Sequence, residues 1–262
     1  QANIRGKYRI YDAELDPTGH YLMAAAGGGG LLIYNVDAST YTGGGRAQPL
    51  NPDALLGLID EDHDGTDDRI LAQVKLPDDY LALGVGGYFE RAQDRVFVTG
   101  AKLDCKGKPL AGSARLFVVS FDSANLKATT LLRNLPLPGN FARGLDAKNN
   151  IAWVAMGEGG IGLVDTYLQH KAYLAAQVRL PGAQNALDVL RLPGVAGAST
   201  RALAVAGQFD IANNRLLNAK DATTGGFYVI DADASAGARI VGSLAVPASR
   251  VAASGHYAYL AA

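Results

Sequence analysis

The sequence from His20 to Asp37 is His-Tyr-Leu-Met-Ala-Ala-Ala-Gly-Gly-Gly-Gly-Leu-Leu-Ile-Tyr-Asn-Val-Asp. Two short apolar runs flank four glycines. This arrangement predicts two β-strands joined by a tight turn, because glycine adopts the positive φ values that such turns require. Neither run has the 3.6-residue spacing of an amphipathic helix. The segment therefore predicts a β-hairpin.

The same strand, glycine and strand pattern occurs in three further places. One apolar run precedes each copy and another follows it, so the repeated unit contains four strands. The further copies span Ile151 to Asp165, Arg201 to Asp231 with a long insertion, and Arg95 to Val119 with a loop that contains Cys105. The units begin near Tyr8, Leu81, Phe141, Asn185 and Ser249.

The spacing of the units predicts an all-β fold, a β-propeller of four-stranded antiparallel blades. The shortest unit, from Phe141 to Asn185, matches a bare propeller blade of about 40–45 residues. Residues 1–262 are predicted to form a single propeller domain or propeller fragment, with four blades and part of a fifth. The fifth unit supplies only two strands, and an open strand edge is a template for association. We expect a longer parent sequence, or a neighbouring chain that pairs with this edge.

Ala26 to Asp37 and Gly157 to Asp165 resemble the LVIVD-type repeats of bacterial surface β-propellers, in which a glycine hairpin precedes a Leu-x-Val-x-Asp strand. The resemblance covers most of the chain at the level of blades. It implies four antiparallel strands per blade and an extracellular location, either secreted or at the cell surface. It implies no particular chemistry, and the last unit departs from the pattern because it ends after two strands.

An acidic segment with the spacing Asp-x-Asp-x-Asp-Gly-x-x-Asp lies within residues 38–69, a predicted insertion in the first blade. In calcium loops of this spacing, alternate carboxylates converge on the ion, the glycine permits a sharp turn, and later positions add a carbonyl and a further oxygen. The pattern resembles the calcium loops of integrin-like propellers and dockerin modules. The predicted Ca²⁺ ligands are Asp60, Asp62, Asp64, Thr66 and Asp68.

A solvated acidic loop without a metal is the alternative interpretation of this segment. Two carboxylates about 4 Å apart repel by about 4 kcal/mol at an effective dielectric of 20, so a compact turn of aspartates favours a cation. Oxygen ligands in a flexible loop favour Ca²⁺ over Mg²⁺. A complete EF-hand has a bidentate Glu where this chain has Leu71. We therefore expect a weak to moderate site, with a dissociation constant of about 10⁻⁴–10⁻³ M.

Composition excludes several classes of protein. The net charge of −1 lacks the basic character of a nucleic-acid binder, and the apolar runs are too short to insert into a membrane as helices. The single Cys105 cannot form an internal disulfide. The glycines from Gly157 to Gly162 match a dinucleotide-binding pattern, but a strand follows them where a phosphate-binding helix is required. We interpret them as a hairpin.

We expect structural roles for the single tryptophan and for two of the histidines. Trp153 is predicted to pack in the core, and His20 and His256, which occupy the same place in two units, are predicted to lie at strand edges. The sequence contains no G-x-S-x-G nucleophile elbow.

Three functions remain open at this stage. The first is a non-enzymatic, calcium-binding propeller that recognises a protein or glycan surface in adhesion, recognition or assembly. The second is a propeller enzyme, a lactonase-like hydrolase or lyase, with a metal in the central channel. The third is a subunit of an extracellular filament, which self-associates through the open strand edge.

Overall fold

A computed structural model describes residues 8–36, 69–88, 95–122, 125, 128–148, 150–168, 171–192, 199–217, 225–233 and 237–262. The fold is all-β and contains four antiparallel sheets with four consecutive main strands each, followed by a two-stranded sheet. The predicted all-β class with four-stranded antiparallel units is therefore confirmed. The predicted calcium loop lies outside the described residues.

The strands follow the chain in order. The first sheet contains β1 (Asp12–Leu15), β2 (Tyr21–Ala25), β3 (Leu31–Asn35) and β4 (Ile70–Val74). The second contains β5 (Leu81–Tyr88), β6 (Arg95–Ala101), β7 (Arg115–Ser120) and β8 (Leu131–Pro136). The third contains β9 (Leu145–Lys148), β10 (Ile151–Ala155), β11 (Ile161–Asp165) and β12 (Tyr173–Val178).

The fourth sheet contains β13 (Asn185–Leu192), β14 (Ser199–Asp210), β16 (Gly226–Asp233) and β17 (Gly237–Leu244), and β15 (Arg215–Leu217) pairs with an extension of β14. The fifth contains β18 (Arg250–Ser254) and β19 (Tyr257–Ala261). Two single-turn 3₁₀ helices, Pro77–Asp79 and Pro181–Ala183, precede β5 and β13.

The predicted glycine hairpins are confirmed in the first and third sheets. Gly27 and Gly30 have φ values of 53° and 77°, and their counterparts Gly157 and Gly160 have values of 58° and 79°. These turns join β2 to β3 and β10 to β11. A Cβ atom on Gly160 would lie 2.2 Å from the carbonyl oxygen of Val178, so both conformation and space require glycine there.

The middle strands of the second, third and fourth sheets are apolar on both faces because each of these sheets packs against a neighbour on either side. In β7, Phe117 and Val119 pack against the first sheet, and the alternate residues Leu116 and Val118 pack against the third. The same alternation separates the two faces of β10 and of β14. Successive side chains of a strand point to opposite faces, so uninterrupted apolar runs are expected in sheets covered on both sides.

Repeated backbone contacts connect successive sheets. Gly27 exchanges two hydrogen bonds with Ala82 of β5, at 3.1 and 3.0 Å, and Gly157 does the same with Ala186 of β13, at 3.2 and 2.9 Å. The glycine turn of one sheet thereby fixes the start of the first strand in the next.

We predict that Gly160→Ala lowers the free energy of unfolding by about 3 kcal/mol or more, because left-handed strain and a backbone clash act together. Gly182→Ala is the matched control, since Gly182 has a φ of 71° and no heavy atom within 4 Å of the added Cβ. It should cost only about 1 kcal/mol of strain. Urea unfolding of both variants measures the difference, and equal losses would contradict the role of the Val178 carbonyl.

Candidate functional site: a cavity between the first strands

At the start of each first strand, the pairing with the second strand is irregular, because one extra residue of the first strand is accommodated there. The amides of Tyr11, Arg143 and Ser249 each donate to a carbonyl of the paired second strand, at 2.7–3.0 Å. In β5 and β13 the register shifts at the corresponding place, after Ala82 and after Ala186. The residues that directly follow this irregularity are therefore equivalent. They are Asp12, Gly84, Gly144, Asp188 and Arg250.

The five first strands surround a common cavity of about 290 Å³, which we call the first-strand cavity. Its walls come from β1, β5, β9, β13 and β18. The charged side chains in the walls lie at two levels, with Asp12, Asp188 and Arg250 at the first, and Glu14 and Asp146 two residues further along their strands. Four carboxylates and one guanidinium thus line one common cavity.

Every one of these carboxylates accepts a backbone hydrogen bond from the first strand of the next sheet. At the first level, Asp12 accepts from the amide of Val85 at 3.1 Å, and Asp188 accepts from that of Val251 at 3.0 Å. At the second level, Glu14 accepts from Gly87 at 3.2 Å, and Asp146 accepts from Arg191 at 2.7 Å. The carboxylates therefore join neighbouring first strands whose backbones are not paired in a common sheet.

Arg250 connects the fifth sheet to both of its neighbours. Its guanidinium lies 2.9 Å from Asp12 and 3.7 Å from Asp188, and it also donates to the carbonyl of Tyr11 at 3.1 Å. Asp12 belongs to the first sheet and Asp188 to the fourth. This one side chain therefore joins the last described strand pair to the beginning of the chain.

Apolar residues lie at the end of the cavity where the strands begin. Leu83 and Leu187 pack there with Phe209 and Ile211, which belong to or follow the extended part of β14. Arg143 packs under Phe209, with its guanidinium carbon 4.4 Å from the ring centroid, and donates to the carbonyl of Ser249 at 2.9 Å. The β14–β15 hairpin thus covers this end, and Glu14 and Asp146 lie towards the other.

Burial shifts the protonation equilibria in the cavity. It raises the pKa of Glu14 to about 7, and the neighbouring negative charge of Asp146 adds to this effect. It also raises the pKa of Asp146 and of Asp188, against the opposing effect of the hydrogen bonds and positive charges beside them. Burial, followed by repulsion from Arg250, lowers the pKa of Arg143 to about 10. The cavity therefore takes up a proton near neutral pH.

The described side chains form no group of three or more His, Cys, Asp or Glu residues close enough to hold a metal ion. Each cavity carboxylate keeps one oxygen on a backbone amide. The arrangement can bind protons and hydrogen-bond donors, and it positions the strands that carry it.

The residues singled out from the sequence have different outcomes. The ligands proposed for calcium, Asp60, Asp62, Asp64, Thr66 and Asp68, lie outside the described residues. Trp153 is fully buried, as predicted, and the Gly157 turn leads into a strand, as predicted. His20 and His256 directly precede β2 and β19, which confirms strand-edge positions. Cys105 is an exposed free thiol.

The sequence interpretation missed the cavity residues. Asp12 and Asp188, and likewise Glu14 and Asp146, occupy equivalent positions of first strands. An alignment of the repeated units on the first strands, rather than on the glycine hairpins, would have shown acidic residues recurring there. Outside the cavity, Asp231 of β16 pairs with Arg201 of β14 at 2.6 Å.

No protein-family model matches the chain, and none of the curated proteins matches it either. The resemblance to LVIVD repeats therefore stays a prediction. Among the described residues, no helix has the length and apolar character needed to cross a membrane.

We predict that Glu14 makes the protein less stable as the pH rises. Its pKa is about 7 in the folded state against an ordinary value of 4.5, so the folded state binds more protons between these limits. The stabilisation is fully present below pH 4.5 and is lost as the pH rises through about 7, with a slope of at most about 1.4 kcal/mol per pH unit.

Urea unfolding of Glu14→Gln between pH 4.5 and 8 tests this prediction. The variant should lose that part of the slope, while Asp146 and Asp188 retain theirs. Glu158→Gln, in an exposed turn, is the control and should keep the whole slope. A parallel pH dependence for Glu14→Gln and the unmodified protein would contradict the assignment.

Proposed function

We propose that the chain is a non-enzymatic β-propeller recognition module of a secreted or cell-surface protein. One observation carries the proposal: the first strands of all five sheets line one cavity, and Arg250 joins the last strand pair to the first sheet. Sheets that pack face to face in chain order around a shared cavity fit the blades of a propeller.

The use of the cavity charges supports a structural and recognition role. The four carboxylates bind backbone amides of neighbouring strands, and Arg250 is shared between two of them. Such a rigid frame presents loops and sheet edges to a protein or glycan surface, which is how rigid scaffolds commonly carry binding sites. Adhesion, recognition and assembly are the activities that suit this architecture.

Calcium belongs to the same proposal. Residues 38–69 connect β3 to β4, both of which lie in the first sheet. A cation held by Asp60, Asp62, Asp64, Thr66 and Asp68 would fold this insertion onto the sheet.

A propeller enzyme is the second candidate, because the cavity gathers Glu14, with its raised pKa, and three aspartates. A metal bound there would use the carboxylate oxygens that do not accept the backbone hydrogen bonds. The two candidates differ in where a metal binds. Metal analysis of Asp62→Asn and of Asp146→Asn separates them, since loss of metal only in Asp146→Asn would favour the enzyme.

We predict that Arg250→Met lowers the free energy of unfolding by about 2 kcal/mol or more, because Asp12 and Asp188 lose their counter-charge while partly buried. The pKa of Asp188 should rise further, since Arg250 opposes its upward shift. Arg201→Met is the matched control, because its pair with Asp231 is at the surface and is screened by solvent. Similar losses in both variants would count against a structural connection through Arg250.

We predict that 10 mM Ca²⁺ stabilises the protein by about 1–3 kcal/mol relative to chelator, as follows from a dissociation constant of about 10⁻⁴–10⁻³ M. Calorimetry should show a higher melting temperature with calcium. The double variant Asp62→Asn with Asp64→Asn should lose the effect. Asp78→Asn with Asp79→Asn changes the charge equally in an exposed turn and should retain it. An unchanged melting temperature without bound metal would exclude the calcium site.

A further inference from the structure

The connection between β6 and β7 differs from the equivalent connections in the first and third sheets. In those two sheets the short glycine turns described above join the second strand to the third. In the second sheet, residues 102–114 join them and form a longer loop, which we call the β6–β7 loop. Its charged residues are Lys102, Asp104, Lys106 and Lys108. The second sheet therefore places a cationic loop where two other sheets have a glycine turn.

Hydrogen bonds to the backbone hold the tip of this loop closed. The carboxylate of Asp104 accepts from the amides of Lys106 and Lys108, at 2.8 and 2.9 Å, and the amide of Asp104 donates to the carbonyl of Lys108 at 2.8 Å. Both lysines are exposed, and within the described residues neither forms an ion pair. Their ammonium groups are therefore presented to solvent from a fixed turn.

A third exposed cation, that of Arg9, lies beside the loop tip. A Cβ atom on Gly107, which lies between the two lysines, would be 2.7 Å from the Cβ atom of Ala212 in the β14–β15 turn. The guanidinium of Arg9 donates to the carbonyl of the same Ala212. The two lysines and Arg9 thus lie around one residue of the β14–β15 hairpin, although they come from separate parts of the chain.

The acidic side chains of the two loops neutralise these cations only in part. Asp104 binds the two amides of its own turn. Asp210 accepts from the amide and the side chain of Asn213, at 3.1 and 2.7 Å, and lies 3.7 Å from Arg215. With Arg215 included, four basic side chains are present here against two acidic ones, whereas the whole chain has a net charge of −1.

Two more cations lie at the base of the β6–β7 loop. The Nζ atom of Lys102 and the guanidinium carbon of Arg115 lie 4.9 and 5.5 Å from the centroid of the Tyr80 ring. The guanidinium of Arg115 donates to two carbonyls of the loop. Asp78 and Asp79 precede Tyr80, but in the described part of the chain they form no ion pair with either cation. The positive charge therefore extends from the tip of the loop to its base.

These groups suit a ligand that is recognised by its charges rather than by its backbone. The amides of Gly107, Leu110 and Ser113 donate to carbonyls within the loop, as the amide of Asp104 does. A peptide brings amides and carbonyls that need partners, and these backbone groups are already paired. The ammonium group of lysine is a point charge on a flexible stem, which suits anionic groups spaced along a polar polymer.

We propose that Arg9 and the β6–β7 loop bind an acidic polysaccharide. Its carboxylate or sulfate groups contact Arg9, Lys106 and Lys108, and reach Lys102 and Arg115 at the base of the loop. The charge of the surface is complementary to such a polyanion, and salt screens contacts between exposed charges. The inference rests on the recognition function proposed above and specifies its ligand.

Isothermal titration of the full chain with three polysaccharides tests the inference. Polygalacturonate carries carboxylates, dextran sulfate carries sulfates, and unmodified dextran is uncharged. At least one of the two anionic polymers should bind, and its affinity should fall as salt is added. Unmodified dextran should not bind. The anionic polymer that binds more tightly identifies the anionic group.

A matched pair of double variants locates the site. Lys106→Gln with Lys108→Gln removes two charges and keeps the Asp104 bonds, because those use backbone amides. The affinity should fall about tenfold, as expected for two exposed charge contacts. Arg133→Gln with Lys171→Gln removes the same charge at exposed residues elsewhere and should bind normally. Urea unfolding of both variants should match that of the unmodified protein.

The single cysteine provides an independent measurement of position. Cys105 is an exposed free thiol next to Lys106, so a fluorophore can be attached there alone. Its fluorescence should change when the anionic polymer saturates the protein, and should not change with unmodified dextran.

Four results would overturn the inference: no binding of either anionic polymer, equal affinities of the two double variants, no change at Cys105 on saturation, or tighter binding of poly-glutamate, which would indicate an acidic peptide. Failure here leaves the propeller frame untouched, because the Arg250 comparison measures unfolding without any ligand.

Discussion

The structure depends on how the first strand of each sheet satisfies its free backbone edge. A first strand pairs with its second strand on one side only, and buried amides on the other side need acceptors. Carboxylates from the preceding first strand provide them at Val85, Gly87, Arg191 and Val251. The acidic cavity is therefore a consequence of five strand edges meeting without forming a common sheet.

This arrangement has an electrostatic cost. The strand edges need several carboxylates within one cavity as acceptors for their amides. Because these carboxylates are buried and lie close to one another, their ionised forms are unfavourable. Arg250 compensates at the level of Asp12 and Asp188. At the second level, burial and then the charge of Asp146 raise the pKa of Glu14 to about 7. The same side chain thus stabilises strand contacts and responds to pH.

The sequence predicted the features that arise from local chemistry. Glycine hairpins and alternating apolar strands depend on φ values and on side-chain direction within a few residues, so Gly157 to Asp165 could be interpreted correctly. The cavity depends on contacts such as the ion pair between Arg250 and Asp12. These two residues lie at opposite ends of the sequence, and the residues around each of them do not predict the contact. The β14–β15 hairpin was missed for a related reason, because an insertion after Asp210 resembles a polar loop until Phe209 and Ile211 are seen to cover the cavity.

The covered end gives the cavity a direction. Phe209, Ile211 and the buried Arg143 lie where the first strands begin, and Glu14 and Asp146 lie at the second level, further from that end. Glu14, whose pKa burial raises to about 7, therefore lies at a different level of the cavity from the ion pairs of Arg250. The strand contact that responds to pH, between Glu14 and Gly87, thus lies at one level, and the ion pairs that join the fifth sheet to the first and the fourth lie at the other.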